Sequence, residues 1–198
     1  MMDAKSIALI TIFAALAIAL NAVRIPTFYW GNFVYTLSEI PVLVAFLIYG
    51  FKIGLLVEVI HIAGQEIFFP VGVGGIVVYP MGLIVMPLMV FGIYLAKKLI
   101  NRRPASEHQI SEKKTAIYLT GVVAAVRGGL MPLADYFLLY NLLLPLVLGP
   151  VFPVGYVAGL VPAFIVYNVT NALYAVPIAF FVTRQVSKHL RLEPALLK

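Results

Sequence analysis

Four polar side chains interrupt the apolar stretch Ile53–Phe69 (IGLLVEVIHIAGQEIFF), namely Glu58, His61, Gln65 and Glu66. At about 3.6 residues per turn, Glu58, His61 and Gln65 share one face of a helix. An ionisable side chain in mid-membrane costs about 2.5–3.5 kcal/mol, so such residues face a bundle interior or a watery cavity. This face therefore predicts part of a solute-binding site. The alternative is a set of buried packing residues that satisfy one another's hydrogen bonds.

Arg127 lies near the middle of another apolar segment, where a guanidinium needs a partner. We expect Glu58 or Glu66 to be that partner, and Glu39, Glu58 and Arg127 to form either a structural ion network or a part of the binding site. Small-molecule sites combine apolar and aromatic walls with a few polar groups. The further candidates for substrate binding are Tyr79, Asp135, Asn141, Tyr167, Asn168 and Asn171.

Several kinds of chemistry have no motif in this chain. It lacks the GxxxxGK[ST] loop that binds nucleotide phosphates, and it lacks the GxSxG, HExxH and DDxxD patterns of hydrolytic and metal-dependent enzymes. The Glu58 face offers one imidazole and one carboxylate, fewer and harder ligands than a transition metal needs. There is no cysteine. We therefore expect a protein that is not an enzyme and has no metal or cofactor.

The composition is that of an integral membrane protein. Of the 198 residues 63% are hydrophobic and 11% are charged, against about 25% charged in soluble domains. The net charge is +6, but the basic residues lie at the ends of apolar segments. That placement favours membrane topology over nucleic-acid binding. We expect one domain in the cell membrane, in contact with lipid.

The apolar segments predict an all-α bundle of six transmembrane helices at about 7–23, 37–51, 53–69, 76–95, 115–140 and 156–183. The basic stretch 97–114 is predicted to be a cytoplasmic loop, which puts both termini on the cytoplasmic side. Residues 24–36 and 141–155 are expected to be connectors at the outer face. The small size and the lack of an internal repeat argue for a protein that works with a partner.

A specific pattern in 35–58 (YTLSEIPVLVAFLIYGFKIGLLVE) extends this prediction. It resembles the substrate-binding S components of energy-coupling factor (ECF) vitamin transporters, and most closely the riboflavin-specific group. The matching positions are Glu39, Ile40, Pro41, Ile48-Tyr49-Gly50, Gly54 and Val57-Glu58. Looser similarities to the same group follow at 81–98, 135–145 and 162–172.

The resemblance implies a six-helix S component with a vitamin site near the outer face, built by helices four to six and the outer loops. It also implies docking onto a transmembrane coupling subunit driven by two ABC-type ATPases. Ala15 and Ala19 match the family's A-x-x-x-A docking motif. The chain departs from the riboflavin group at Asn171, where that group has Lys, at Asp135, where it has Asn, and at Tyr79, where Asn is expected.

The resulting prediction is a membrane subunit that captures a vitamin at the outer face and delivers it inward with its ATPase partners. Riboflavin is the first candidate, and a related vitamin or precursor is the next. The alternative is a solitary secondary transporter or channel for a small organic solute or a cation. A scaffold or sensor would bind no small molecule, and an intramembrane enzyme would need a catalytic constellation that the sequence lacks.

Overall fold

The computed structural model describes residues 4–27, 34–70, 79–102, 111–149 and 153–196. Parts of four predicted segments lie outside these residues: 28–33 of the first connector, 76–78 of the fourth helix, 103–110 of the basic loop and 150–152 of the second connector. The described residues are mostly helical, as the sequence predicts. The helices are α1 Ala4–Leu20, α2 Glu39–Tyr49, α3 Phe51–Phe68, α4 Gly82–Asn101, α5 Glu112–Leu133, α6 Leu144–Leu148 and α7 Val154–Leu190.

Helix α2 forms the centre of the bundle. Every residue from Ile40 to Ile48 is buried, because α1, α3, α4 and α7 all pack against it. A helix that is apolar on all sides lies in a protein core or spans a membrane, and here neighbouring helices cover it. Gly50 then turns the chain directly into α3 with a φ of 86°, a conformation that favours glycine. The chain end returns to α2, where the amide of Ala195 donates to the carbonyl of Ile48 over 3.1 Å.

The connector predicted at 141–155 is helical over its first half. The helix that contains α5 continues as a π-helix, Ala134–Leu143, and then as α6, and it ends at Gly149 with a φ of 77°. The prolines and glycines of this segment predicted a connector, but the helix continues through Pro145, as membrane helices can where neighbouring groups satisfy the freed backbone carbonyl. Helix α7 likewise continues to Leu190, beyond the predicted end at 183.

Two short strands depart from the all-α prediction. Strand β1 (Arg24–Pro26) pairs antiparallel with β2 (Val34–Thr36), with Ile25 opposite Tyr35. The hairpin is tied to α7 because the hydroxyl of Tyr167 donates to the Val34 carbonyl over 3.0 Å and that of Tyr174 donates to the Thr36 carbonyl over 2.7 Å. These bonds hold the predicted aromatic connector against the bundle.

Three stretches of the described residues are long and apolar enough to cross a membrane: Tyr79–Asn101, Glu112–Val147 and Gly155–Leu190. Helix α2 is only 11 residues long, or roughly 16 Å, about half of a bilayer's hydrocarbon core. Helix α1 has 17 residues, near the lower limit for a span. The count of six spans and the orientation of the termini therefore remain predictions.

Two neighbouring glycines of α5 are expected to respond differently to a methyl group. A Cβ at Gly128 would contact Cγ2 of Val169 on α7 at 2.5 Å, whereas a Cβ at Gly129 would meet no atom within 4 Å. Val169 is β-branched and has little freedom to turn away. We expect Gly128→Ala to lower the free energy of unfolding by about 1–3 kcal/mol. The free energy of unfolding is measured by titrating the protein in mixed micelles with SDS. The Gly129→Ala control should leave this free energy unchanged or raise it slightly. Equal effects would contradict this packing.

Candidate functional site

A cavity of about 510 Å³ lies between the hairpin, α2, α3, α4, α5, the π-helix and α7. Clefts of this size accommodate a small organic molecule. Its walls combine apolar side chains such as Met86 and Leu139 with two clusters of polar ones. Of the residues that the sequence proposed for substrate binding, the following line it: Glu58, Tyr79, Arg127, Asp135, Tyr167 and Asn168.

The first polar cluster, the Arg127 cluster, consists of Glu39, Arg127, Asp135 and Asn168. The guanidinium of Arg127 is 1% exposed and donates from Nη1 and Nη2 to the two carboxylate oxygens of Glu39, the second bond being 2.8 Å long. Its Nε donates to Oδ1 of Asn168 over 3.0 Å, and Asn168 donates in turn to Asp135 over 3.3 Å. A forked pair of this kind fixes a buried arginine in one position.

The expectation that Glu58 or Glu66 pairs with Arg127 is therefore wrong, whereas the expected ion pairing of Glu39 with Arg127 is present. The structure pairs it with Glu39 of α2, 88 positions earlier in the chain, and not with Glu58 or Glu66. Glu58 is already engaged by His61, and Glu66 does not line the cavity. The sequence indicated correctly that a buried arginine needs a carboxylate, but the packing of the helices decided which carboxylate lies within reach.

The second polar cluster, the His61 cluster, consists of Asn21, Glu58, His61 and Gln65. Nδ1 of His61 lies 3.0 Å from Oε2 of Glu58, and Nε2 of Gln65 donates to Oδ1 of Asn21 over 3.1 Å. Glu58 is 2% exposed, and His61 and Asn21 are each 3% exposed. The predicted shared face of α3 is thus turned toward the cavity, with Glu58 and His61 buried and Gln65 half-buried. Asn21, just past the end of α1, had not been singled out, although it is a polar residue at the end of an apolar run.

Gly82 makes room for Glu58 at the wall of the cavity. A Cβ at this position would collide with Oε1 of Glu58. A side chain at Gly82 would therefore push the carboxylate away from its present position, because α3 and α4 approach closely here. Sequence inspection had not proposed Gly82, and no local pattern distinguishes it from the other glycines of the chain.

Aromatic side chains form an extended wall beside the two clusters. The rings of Tyr140 and Phe164 stack with their centroids 5.3 Å apart, and both residues line the cavity. Tyr167 also lines it and stacks on Tyr35 at 5.3 Å with an angle of 12° between the rings. Stacked aromatic groups bury large apolar areas with a defined geometry, which suits a flat ligand.

Two of the residues proposed for substrate binding do not line the cavity. Asn141 is exposed, and its amide donates to the carbonyl of Tyr136 in the same helix. Asn171 is buried and donates to the carbonyl of Tyr167 over 3.0 Å, while its Oδ1 accepts from the hydroxyl of Tyr174. Asn171 thus supports the tyrosines that hold the hairpin.

Ala15 and Ala19, the predicted docking residues, are exposed on α1. The opposite face of α1 is buried through Ile10, Ala14 and Ala17. The exposed face also carries Ile12 and Leu16, so it is apolar and can face either lipid or another helix. Small residues four positions apart allow a second helix to approach closely.

Five charged side chains line the cavity, and they nearly balance one another. Two arginines, Arg24 and Arg127, and three carboxylates, Glu39, Glu58 and Asp135, line it, so its formal charge is −1 with His61 neutral. Arg127 uses four of the five N–H donors of a guanidinium on Glu39, Asn168 and Met89. In the part of the chain that the structure describes, no group of three or more His, Cys, Asp or Glu residues could hold a metal ion.

The chain has the fold of a known transporter subunit. It superposes on a solved structure described as the S component of a bacterial ECF transporter with a TM-score of 0.63, covering 94% of this chain and 98% of that one at 19% sequence identity. No protein-family model matches the sequence, and no curated protein matches it either. The structural likeness shows the fold alone.

Proposed function

We propose that this chain is the substrate-binding membrane subunit of an ECF-type importer. It captures a vitamin at the outer face of the cell membrane and delivers it inward with a coupling subunit and two ABC-type ATPases. The observation that carries the proposal is the polar cavity of about 510 Å³ inside a fold shared with an S component. The sequence pattern at 35–58 supports it independently, because it does not depend on the fold.

Riboflavin is the first candidate for the ligand. The stacked rings of Tyr140 and Phe164 suit a flat aromatic ring system, and the polar clusters suit hydrogen-bonding groups at its edges. The departures from the riboflavin group at Tyr79 and Asp135 lie on the cavity wall, so a related vitamin or precursor remains the second candidate. The Asn171 departure bears less on this choice, because Asn171 does not line the cavity.

We further propose that the chain itself catalyses no reaction. Transport requires an outward and an inward state that differ in their affinity for the ligand. In this proposal the free energy that drives the change comes from ATP hydrolysis by the partner subunits. The roles of this chain are to bind the vitamin and to dock.

The deciding experiment identifies the molecule that the protein carries. The chain is purified in detergent without added vitamin, its absorption spectrum is recorded, and any bound molecule is extracted and identified by mass spectrometry. We expect flavin absorption bands. A different bound vitamin would keep the importer subunit and overturn riboflavin.

Transport without partners tests the other half of the proposal. Vesicles that contain only this chain should not accumulate riboflavin, because the coupling subunit and ATPases are missing. Uptake by the chain alone would instead favour a solitary secondary transporter or channel. A protein that carries no molecule and is not stabilised thermally by any vitamin in a panel would overturn the binding function altogether.

A further inference from the structure

The His61 cluster contains buried polar atoms that are not satisfied by the protein. Nε2 of His61 and Nδ2 of Asn21 are buried, and neither has a hydrogen-bond partner among the described residues. Both side chains line the cavity. A buried donor or acceptor without a partner costs about 1–3 kcal/mol, so two of them in one wall point to a polar group that binds there.

The protein itself fixes the other atoms of the same two side chains. Nδ1 of His61 is held by Glu58, and Oδ1 of Asn21 is held by Gln65. Each side chain is therefore anchored on one side and has its remaining nitrogen available. Side chains held in this way before a ligand arrives lose little conformational entropy on binding.

The chemistry of the three groups defines what they can bind. Asn21 Nδ2 only donates, an ionised Glu58 only accepts, and His61 Nε2 donates or accepts according to its tautomer. A hydroxyl group fits this set in either tautomer, because it is both a donor and an acceptor. A carboxylate would add a negative charge to a cavity that already holds Glu39, Glu58 and Asp135, and like charges repel.

We infer that Asn21, Glu58 and His61 form a hydroxyl-binding subsite, and that the ligand is an uncharged molecule with a hydroxyl-bearing chain. This inference rests on the proposed function, since it requires that the cavity binds a small molecule. It assigns α1 and α3 a part in the site, whereas the resemblance implied helices four to six and the outer loops. In a flavin, the stacked tyrosine and phenylalanine would take the ring, and the His61 cluster would take the hydroxylated chain.

The test compares riboflavin with lumiflavin, which has the same ring system and no hydroxylated chain. Binding to the purified full chain is measured by the quenching of flavin fluorescence. We expect Asn21→Leu and His61→Leu each to weaken riboflavin binding about tenfold, the equivalent of one or two hydrogen bonds. Lumiflavin binding should change less than about twofold. His61→Gln, which keeps a hydrogen-bonding end, should recover part of the riboflavin affinity.

Two matched controls separate the subsite from buried polar atoms in general. Thr183 and Ser187 of α7 each bury a hydroxyl that lacks a partner among the described residues, and neither lines the cavity. Thr183→Val and Ser187→Ala should leave riboflavin binding unchanged. His61→Leu also removes the hydrogen-bond partner of the buried Glu58 and can prevent folding. If that variant does not fold, Asn21→Leu alone tests the subsite.

The outcomes distinguish the subsite from the proposed function. Suppose that riboflavin binds to the unmodified chain. If Asn21→Leu and His61→Leu bind it with unchanged affinity, or if they weaken riboflavin and lumiflavin binding equally, the subsite is wrong and the importer subunit stands. If another hydroxyl-bearing vitamin binds and Asn21→Leu weakens it, the subsite stands and riboflavin is wrong. A carboxylate vitamin as the best ligand would overturn the subsite. Absence of binding across the panel would overturn both.

Discussion

Glu39→Gln is expected to destabilise the protein by about 3–5 kcal/mol, because it leaves the guanidinium of Arg127 buried without its charge partner. Arg127 is 1% exposed, and Glu39 supplies both oxygens of the fork. The loss should appear as a lower free energy of unfolding in SDS titrations from mixed micelles, measured without ligand. Arg127→Met should cost less than Glu39→Gln, since the Glu39 side chain is 17% exposed and water can reach it.

The double variant Glu39→Gln/Arg127→Met separates the ion pair from local packing. Replacing both members of a buried pair is often close to neutral, so the double variant should be more stable than Glu39→Gln alone. Glu112 and Arg184 provide the matched control, because this pair is 3.7 Å apart and both side chains are largely exposed. Glu112→Gln should cost no more than about 1 kcal/mol. If the losses of stability caused by Glu39→Gln and Arg127→Met simply add in the double variant, the two side chains do not form the ion pair described here.

Ala15→Trp and Ala19→Trp are expected to abolish vitamin uptake while leaving binding to the isolated chain intact. Both alanines are exposed and face away from the core. An indole would prevent the close approach of a second helix that small residues permit. The measurement is uptake by cells that contain the partner subunits, together with affinity purification of the assembled complex. The effect rests on the proposed docking and is large because an unassembled subunit cannot be driven by ATP.

Ile117→Trp controls for the insertion of a large aromatic group on an exposed apolar surface of the bundle. Ile117 lies on α5 and is 72% exposed. Helix α5 packs against α4 and α7 and not closely against α1, so this position lies on another side of the bundle. We expect normal assembly and uptake for this variant. Normal uptake by both α1 variants would remove α1 from the docking surface, and failure of ligand binding in them would indicate misfolding.

Hydrophobicity determined much of the architecture. The described residues are mostly helical, as the apolar segments predict, because a helix in contact with lipid satisfies its own backbone hydrogen bonds. The limits of the helices were harder to predict. The three prolines and two glycines of 141–155 suggested a connector, but the helix continues through Pro145 to Leu148. Membrane helices tolerate an interior proline where neighbouring groups satisfy the backbone carbonyl that it frees.

The side chains of the site were predictable where local spacing brings them together. Glu58, His61 and Gln65 lie on one helix, so their common face followed from the helical period alone. That Arg127 would be paired also followed from the sequence, because the membrane interior does not tolerate an isolated charge. Asp135, Tyr167 and Asn168 were found among polar and aromatic residues of apolar segments, but the same reasoning also included Asn141, which the structure leaves exposed.

The sequence by itself predicted a helical membrane protein and the burial of Glu58, His61 and Arg127, and it carried the resemblance that suggested its class. The tertiary structure alone decided that Glu39 pairs with Arg127 and that Asn21 joins His61 in the wall of the cavity. These contacts join residues that are far apart in the chain. Their formation depends on how α2, α5 and the end of α1 pack in three dimensions, which local periodicity does not encode.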